Sequence, residues 1–202
     1  MHPTNHALLV IDVQNDFCPG GALAVAGGDE IVARINDLMG DFSTVILTQD
    51  WHPPGHLSFF TNHEGRDAFS MIDMPYGAQV LWPPHCVQGT PGAEFHRALN
   101  TDRAALTIRK GFRAQIDSYS AFFENDHKTP TGLHGYLEDR GIDRLSAVGL
   151  ATDFCVGDTC VDGAALGYRV TILESACRAI DLDGSLDNAR QKMRAAGVTL
   201  EP

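Results

Sequence analysis

Three residues of this chain, Cys155, Asp12 and Lys110, have the types and settings that covalent chemistry needs. Cys155 lies in Ala147-Val148-Gly149-Leu150-Ala151-Thr152-Asp153-Phe154-Cys155-Val156, an apolar run that breaks into a polar turn before a helical stretch, Gly157 through Leu166. That order predicts a thiol at a helix N-terminus and at the carboxyl end of a strand, where open α/β sheets hold their ligands. A helix dipole there favours the thiolate, which is the nucleophilic form. The competing reading is a small apolar core residue, the commoner fate of a cysteine. Asp12 sits in the apolar run Ile11-Asp12-Val13, where an acid is costly unless paired or protonated. With a raised pKa it can take a thiol proton and return it to a leaving group. Lys110 ends the run Leu106 to Gly111, and Arg109 beside it points to the opposite face. Alone, Lys110 reads as a solvated strand end. With Asp12 and Cys155 it completes an Asp–Lys–Cys set whose cation steadies both carboxylate and thiolate.

A second constellation could hold a metal. Asp50 and His52 in Asp50-Trp51-His52 share one face of a strand end, so carboxylate and imidazole converge. His56 follows, and His85 stands in Trp82-Pro83-Pro84-His85-Cys86. Asp50, His52 and His85, with His56 as a candidate fourth ligand, suit one divalent transition metal ion: zinc first, iron or manganese as alternatives, rather than calcium. For any single histidine here, capping the sheet is the plainer role. Phe17, Trp51, Trp82 and Tyr119 are aromatics near these polar groups. They are local core or the walls of a pocket for a flat ring.

Positioning such residues takes a sheet. Apolar, β-branched runs predict strands at His6–Val13, Thr44–Asp50, Ala105–Arg109, Leu145–Leu150, Arg169–Leu173 and Val198–Leu200. Helical spacing joins Ile31, Val32, Ile35, Leu38 and Met39, and again Leu133, Tyr136 and Leu137. Asp183 or Ser185 is the expected cap of a final helix through Met193. Near-continuous apolar strands alternating with helices imply an α/β fold, a three-layer α/β/α sandwich around a mostly parallel, Rossmann-like sheet. The stretch at about 51–92 has no clear period and is rich in His, Pro, Gly and aromatics, so it is expected to be a loop that builds a site.

The chain has 202 residues, fitting one domain spanning 1–202. Its net charge of -11 argues against a nucleic-acid partner, which calls for a basic patch. The start shows no secretory pattern, and the apolar run Ala7 to Val13 is too short to span a bilayer, so a cytoplasmic protein without a membrane partner is expected. Five cysteines without a C-x-x-C pair fit a reducing compartment. A homo-oligomer is left open.

Over essentially its full length the chain resembles the nicotinamidases, within the isochorismatase-like cysteine hydrolases. The blocks that carry this resemblance run in family order. They are Asp12-Val13-Gln14-Asn15-Asp16-Phe17, Thr48-Gln49-Asp50-Trp51-His52-Pro53, Trp82-Pro83-Pro84-His85-Cys86, Lys110-Gly111, Asp117 to Phe122 and Gly149 to Val156. The resemblance implies a six-stranded parallel sheet, Asp12, Lys110 and Cys155 as a triad, and Asp50, His52 and His85 as metal ligands. It further implies a cis peptide between Leu150 and Ala151, an oxyanion hole from the Ala151 and Cys155 amides, and Phe17 and Trp82 around a pyridine ring. The implied reaction is hydrolysis of nicotinamide, and of pyrazinamide, through a Cys155 thioester. Three rivals compete with it: an amidase for a carbamoyl or ureido compound, a metal hydrolase in which Cys155 is inert, and a non-catalytic binding module of the same fold.

Overall fold

The computed structural model describes residues 4–202. In chain order its regular elements are β1 (His6–Ile11), α1 (Val32–Met39), β2 (Thr44–Asp50), β3 (Met71–Met74), β4 (Gly77–Val80), β5 (Leu106–Lys110), α2 (Leu133–Asp139), β6 (Arg144–Leu150), α3 (Gly157–Ala165), β7 (Arg169–Arg178), α4 (Ser185–Ala195) and β8 (Thr199–Glu201). Six strands form one sheet in the order β5-β2-β1-β6-β7-β8, every neighbouring pair parallel. Residues Ala7 to Ile11 of β1 are at most 1% exposed, so this strand is covered on both faces. At the edge, β5 alternates half-buried and exposed positions until Lys110, which is buried. In α1, the stripe Val32, Ile35, Leu38 and Met39 faces the core, as its spacing predicts.

The chain lays down β1, β2 and β5 in one direction and β6, β7 and β8 in the other. Right-handed crossovers then put α1 on one face and α2 to α4 on the other. The order reverses between β1 and β6, which leaves a crevice beyond their carboxyl ends. Asp12 directly follows β1, and the turn carrying Cys155 follows β6. Gly149 makes this junction possible. Its φ is +120°, and a Cβ there would lie 2.1 Å from the Ile11 carbonyl oxygen. No larger residue lets β1 and β6 close up beneath Asp12.

The structure departs from the sequence expectations at several ends. The fifth strand covers Leu106–Lys110 rather than Ala105–Arg109, which makes Lys110 its last residue. The strand expected at Arg169–Leu173 continues to Arg178, past a register shift opposite Ala147 and Gly149. The stretch at 51–92 is not featureless: β3 and β4 pair as an antiparallel hairpin within it. At the final helix neither Asp183 nor Ser185 is the cap. Gly184 holds that position without a side-chain bond, and the Ser185 hydroxyl donates to Asp153 Oδ2 at 2.5 Å instead. Among the described residues no helix is long and apolar enough to cross a membrane.

Candidate active site

Lys110 is the centre of the crevice. It is fully buried, and its Nζ meets Asp12 Oδ2 at 2.8 Å, Asp50 Oδ1, the Ser118 carbonyl at 2.9 Å and Cys155 Sγ at 3.3 Å. Asp12 takes the left-handed conformation (φ +48°), one that a short polar side chain tolerates. Thr48, on the neighbouring strand β2, fixes it twice. The Thr48 hydroxyl donates to Asp12 Oδ1 at 2.6 Å and accepts the Asp12 amide at 3.1 Å. Lys110 holds Asp12 Oδ2 in a buried ion pair. An Asp12 carboxylate oxygen, an Asp50 carboxylate oxygen and the Cys155 sulfur lie within 4.8 Å of one another.

Burial dominates the electrostatics. It raises the Asp12 carboxyl above the usual carboxylate range, with Lys110 pulling the other way. Burial likewise pushes the Cys155 thiol well above its ordinary value, although Lys110 opposes it. Cys155 sits in a single π-helical turn, Thr152–Val156, just before α3, and desolvation there outweighs the favourable charges. For Lys110 the balance is reversed: burial disfavours the ammonium, but Asp12 and Asp50 outweigh it and hold the pKa well above normal. The resting site is therefore a neutral thiol beside a buried base and a fixed cation.

Asp50, His52 and His85 converge next to it. Their ligand atoms lie within 4.8 Å of one another, with His52 Nε2 at 3.4 Å and His85 Nε2 at 3.7 Å from Asp50 Oδ2. Each imidazole has its other nitrogen on a backbone carbonyl: His52 Nδ1 on Gly111 O and His85 Nδ1 on Pro83 O, both at 2.8 Å. Donation from Nδ1 leaves the Nε2 lone pair pointing inward, the arrangement that prepares histidine for a metal. Gly111 (φ +67°) is required here, because a Cβ would stand 2.4 Å from the His52 ring. Burial would raise Asp50, yet Lys110 and His52 hold it well below the usual carboxylate range. The carboxylate, two imidazoles and common focus fit a divalent transition metal.

His56 is engaged elsewhere. Its Nδ1 accepts the Ser58 amide at 3.1 Å and lies 2.7 Å from the Ser58 hydroxyl, while Nε2 lies 3.2 Å from the Ile116 carbonyl. Burial and the nearby His52 lower it to about 4. With His52 and Asp117 it forms a second buried group, which shares His52 with the one holding His85.

Both constellations open on one narrow cleft, which Asp50 and His85 line from one and Cys155 from the other. Phe17, Trp82, Tyr119, Ala151 and Cys155, all named from the sequence, line it. Leu23, Asp117, Phe154 and Ile180 line it too and were not singled out. Phe154 packs edge-on against Trp82 at 4.9 Å. Its place directly before Cys155 was the available signal. Gln14 was also missed: its amide brackets Asp50, accepting the Asp50 N–H at 2.8 Å and donating to the Asp50 carbonyl at 2.9 Å. The Leu150–Ala151 peptide is cis. Trp51 stays outside the cleft, under the Arg109 guanidinium at 3.9 Å.

Fold and crevice together define a parallel α/β protein with a buried aspartate–lysine–cysteine site at its switch point. A model of the isochorismatase domain matches residues 6–201, and the chain belongs to the isochorismatase family. It is 56% identical to a nicotinamidase of Acinetobacter baylyi over 194 residues, covering 96% of this chain and 91% of that protein. Among solved structures, an Acinetobacter baumanii nicotinamidase and pyrazinamidase superposes with a TM-score of 0.98 at 56% identity, over 100% of this chain and 97% of the other. A pyrazinamidase of Pyrococcus horikoshii, solved in complex with zinc, superposes at 0.78 with 32% identity, over 97% and 98%.

Proposed function

We propose that this protein is a metal-dependent cysteine amidohydrolase that converts nicotinamide to nicotinate and ammonia, and pyrazinamide to pyrazinoate. The observation that carries this reading is Asp12, a buried carboxylate fixed by the Thr48 hydroxyl, ion-paired to Lys110 and grouped with the Cys155 thiol in one buried cluster. The identities to nicotinamidases support the substrate class.

The pyridine ring binds between Phe17 and Trp82, which brings the carboxamide carbon to Cys155. Asp12 takes the thiol proton as Sγ attacks, so the thiolate exists only while it is being used. The Ala151 and Cys155 amides receive the charge developing on the carboxamide oxygen, an interaction typically worth about 3–4 kcal/mol. Asp12 then returns the proton to the departing nitrogen, ammonia leaves and an acyl-thioester remains. Water attacks the thioester with Asp12 again as base. Collapse of the adduct breaks the C–S bond, the sulfur recovers its proton and nicotinate departs. Throughout, Lys110 holds a positive charge between carboxylates and sulfur. Asp50, His52 and His85 would hold the metal, zinc first and iron or manganese next, which when bound supplies a Lewis-acidic anchor for the ring nitrogen. The crystallised zinc complex of the Pyrococcus horikoshii relative supports that choice of ion.

The test is ammonia release from nicotinamide and pyrazinamide by metal-loaded wild type and Cys155→Ala, with N-carbamoyl compounds alongside. Release that vanishes in the variant is expected. Release from the carbamoyl compounds alone would replace the substrate, and activity surviving in Cys155→Ala would overturn the mechanism.

A further inference from the structure

The β3–β4 hairpin contributes little to the core: Met71 is 53% exposed, and Gly77 and Ala78 face solvent. Its exception is Gln79, only 1% exposed and directed inward. The two N–H groups of the Gln79 amide are shared among three acceptors, the Val80 carbonyl at 2.8 Å, Asp117 Oδ2 at 3.0 Å and Tyr119 Oη at 3.0 Å. Its oxygen accepts the Tyr76 hydroxyl at 3.1 Å and the Asn125 amide at 3.3 Å. A carbonyl and a carboxylate can only accept, so the amide has one permitted orientation. Asn125 also accepts the Tyr119 backbone N–H at 2.9 Å. Tyr119 is thereby held at both its backbone and its hydroxyl.

The fixed Tyr119 hydroxyl is the acceptor for the Trp82 indole N–H, at 2.9 Å. Trp82 forms one wall of the cleft, with Phe154 edge-on against it. From this chain of contacts we infer that Gln79 is a positioning residue: acting through Tyr119, it sets the placement of the Trp82 ring and with it the affinity of the cleft for a flat heteroaromatic substrate. The substrate half of this inference rests on the function proposed above; the coupling to Trp82 does not. Gln79 touches no reacting group, so its loss weakens ground state and transition state alike. Such a change raises KM and leaves kcat in place.

The decisive measurement is a double-mutant cycle of Gln79→Met and Tyr119→Phe, read by nicotinamide kinetics and by Trp82 fluorescence. Tryptophan occurs twice in the chain, so a Trp51→Phe background isolates the Trp82 emission. Gln79→Met is expected to raise KM about two- to tenfold, the span of one or two hydrogen bonds, with kcat within about twofold. It should also make Trp82 more accessible to acrylamide quenching. Both effects should vanish once the Tyr119 hydroxyl is absent. Equal effects of Gln79→Met in the two backgrounds, or unaltered quenching, would overturn the inference. Should Gln79→Met not fold, Gln79→Asn withdraws the amide by one methylene and carries the same expectations. A wild-type protein that releases no ammonia refutes the substrate reading, and the quenching arm still decides the Gln79 coupling.

Discussion

Replacing Lys110 with methionine isolates the charge at the centre of the site. Methionine fills much the same volume without a cation. It removes the partner of Asp12 at 2.8 Å and of Asp50, and leaves two buried carboxylates facing each other. Breaking a buried ion pair from one side costs about 3–5 kcal/mol, because the remaining charge is uncompensated. For a chain of this size that is a fall in Tm of about 6–20 °C. Thermal melts on metal-free protein measure it without interference from the ion. The same variant removes the cation that lowers the Cys155 pKa, so alkylation by iodoacetamide at fixed pH should slow by about tenfold for each unit of rise. Adding Asp12→Asn provides the control. If uncompensated charge is the cause, neutralising Asp12 recovers part of the lost Tm; if lost packing is the cause, it does not. A Tm change below about 3 °C together with unchanged alkylation would refute the electrostatic account.

Two further outcomes follow from the geometry. Metal content measured by mass spectrometry should fall in His85→Ala, with affinity lowered at least as much as the tenfold to hundredfold seen for outer partners, but stay intact in His56→Ala, whose ring nitrogens serve Ser58 and Ile116; equal losses in both would contradict this placement. Asp158, mostly buried near Lys192, Asp162 and His127, is raised from 3.8 to about 6. A raised folded-state pKa gives stability that is complete below the unfolded value and lost as pH climbs through about 6, so the ionised side chain is a liability at pH 8. The full shift corresponds to about 3 kcal/mol. Asp158→Asn forfeits a favourable helix-dipole contact of about 0.3–1 kcal/mol, and partial exposure trims the rest. A Tm gain of a few degrees at pH 8 that disappears near pH 4 is expected, and a gain independent of pH would refute the titration.

The strand-end residues were readable in the sequence because a parallel sheet announces itself. Runs such as Leu8 to Ile11 and Leu145 to Leu150 are apolar without alternation, so an acid or lysine closing such a run has few ordinary reasons to be there. Asp12 stood out on those grounds, Asp50 through its pairing with His52 two residues on, and Lys110, which closes the alternating strand β5, only in company with Asp12 and Cys155. Phe154, Asp117 and Gln79 did not, since what places them is tertiary. Phe154 reads as one more apolar residue before Cys155, and Gln79 as a polar residue in a loop. The hairpin that carries Gln79 has no periodic pattern because it covers a site rather than a core. The electrostatics of Cys155 were legible only in part for a related reason: sequence supplies the helix N-terminus, but the depth of burial comes only from the assembled crevice.

That burial has a consequence for how the site works. A cysteine kept as a thiolate by its surroundings is open to oxidants and to adventitious electrophiles at all times. Here the thiol is neutral at rest, 6% exposed, and paired with a base whose own pKa is raised by the same desolvation. Asp12 beside Cys155 gives the thiol proton a nearby acceptor, and burial, which raises the Asp12 carboxyl, strengthens it as a base. Lys110 stays charged whichever of them holds the negative charge. The switch point of the sheet supplies the positions, Gly149 supplies the close approach of β1 to β6, and Lys110 supplies the fixed charge that both the acid and the nucleophile face.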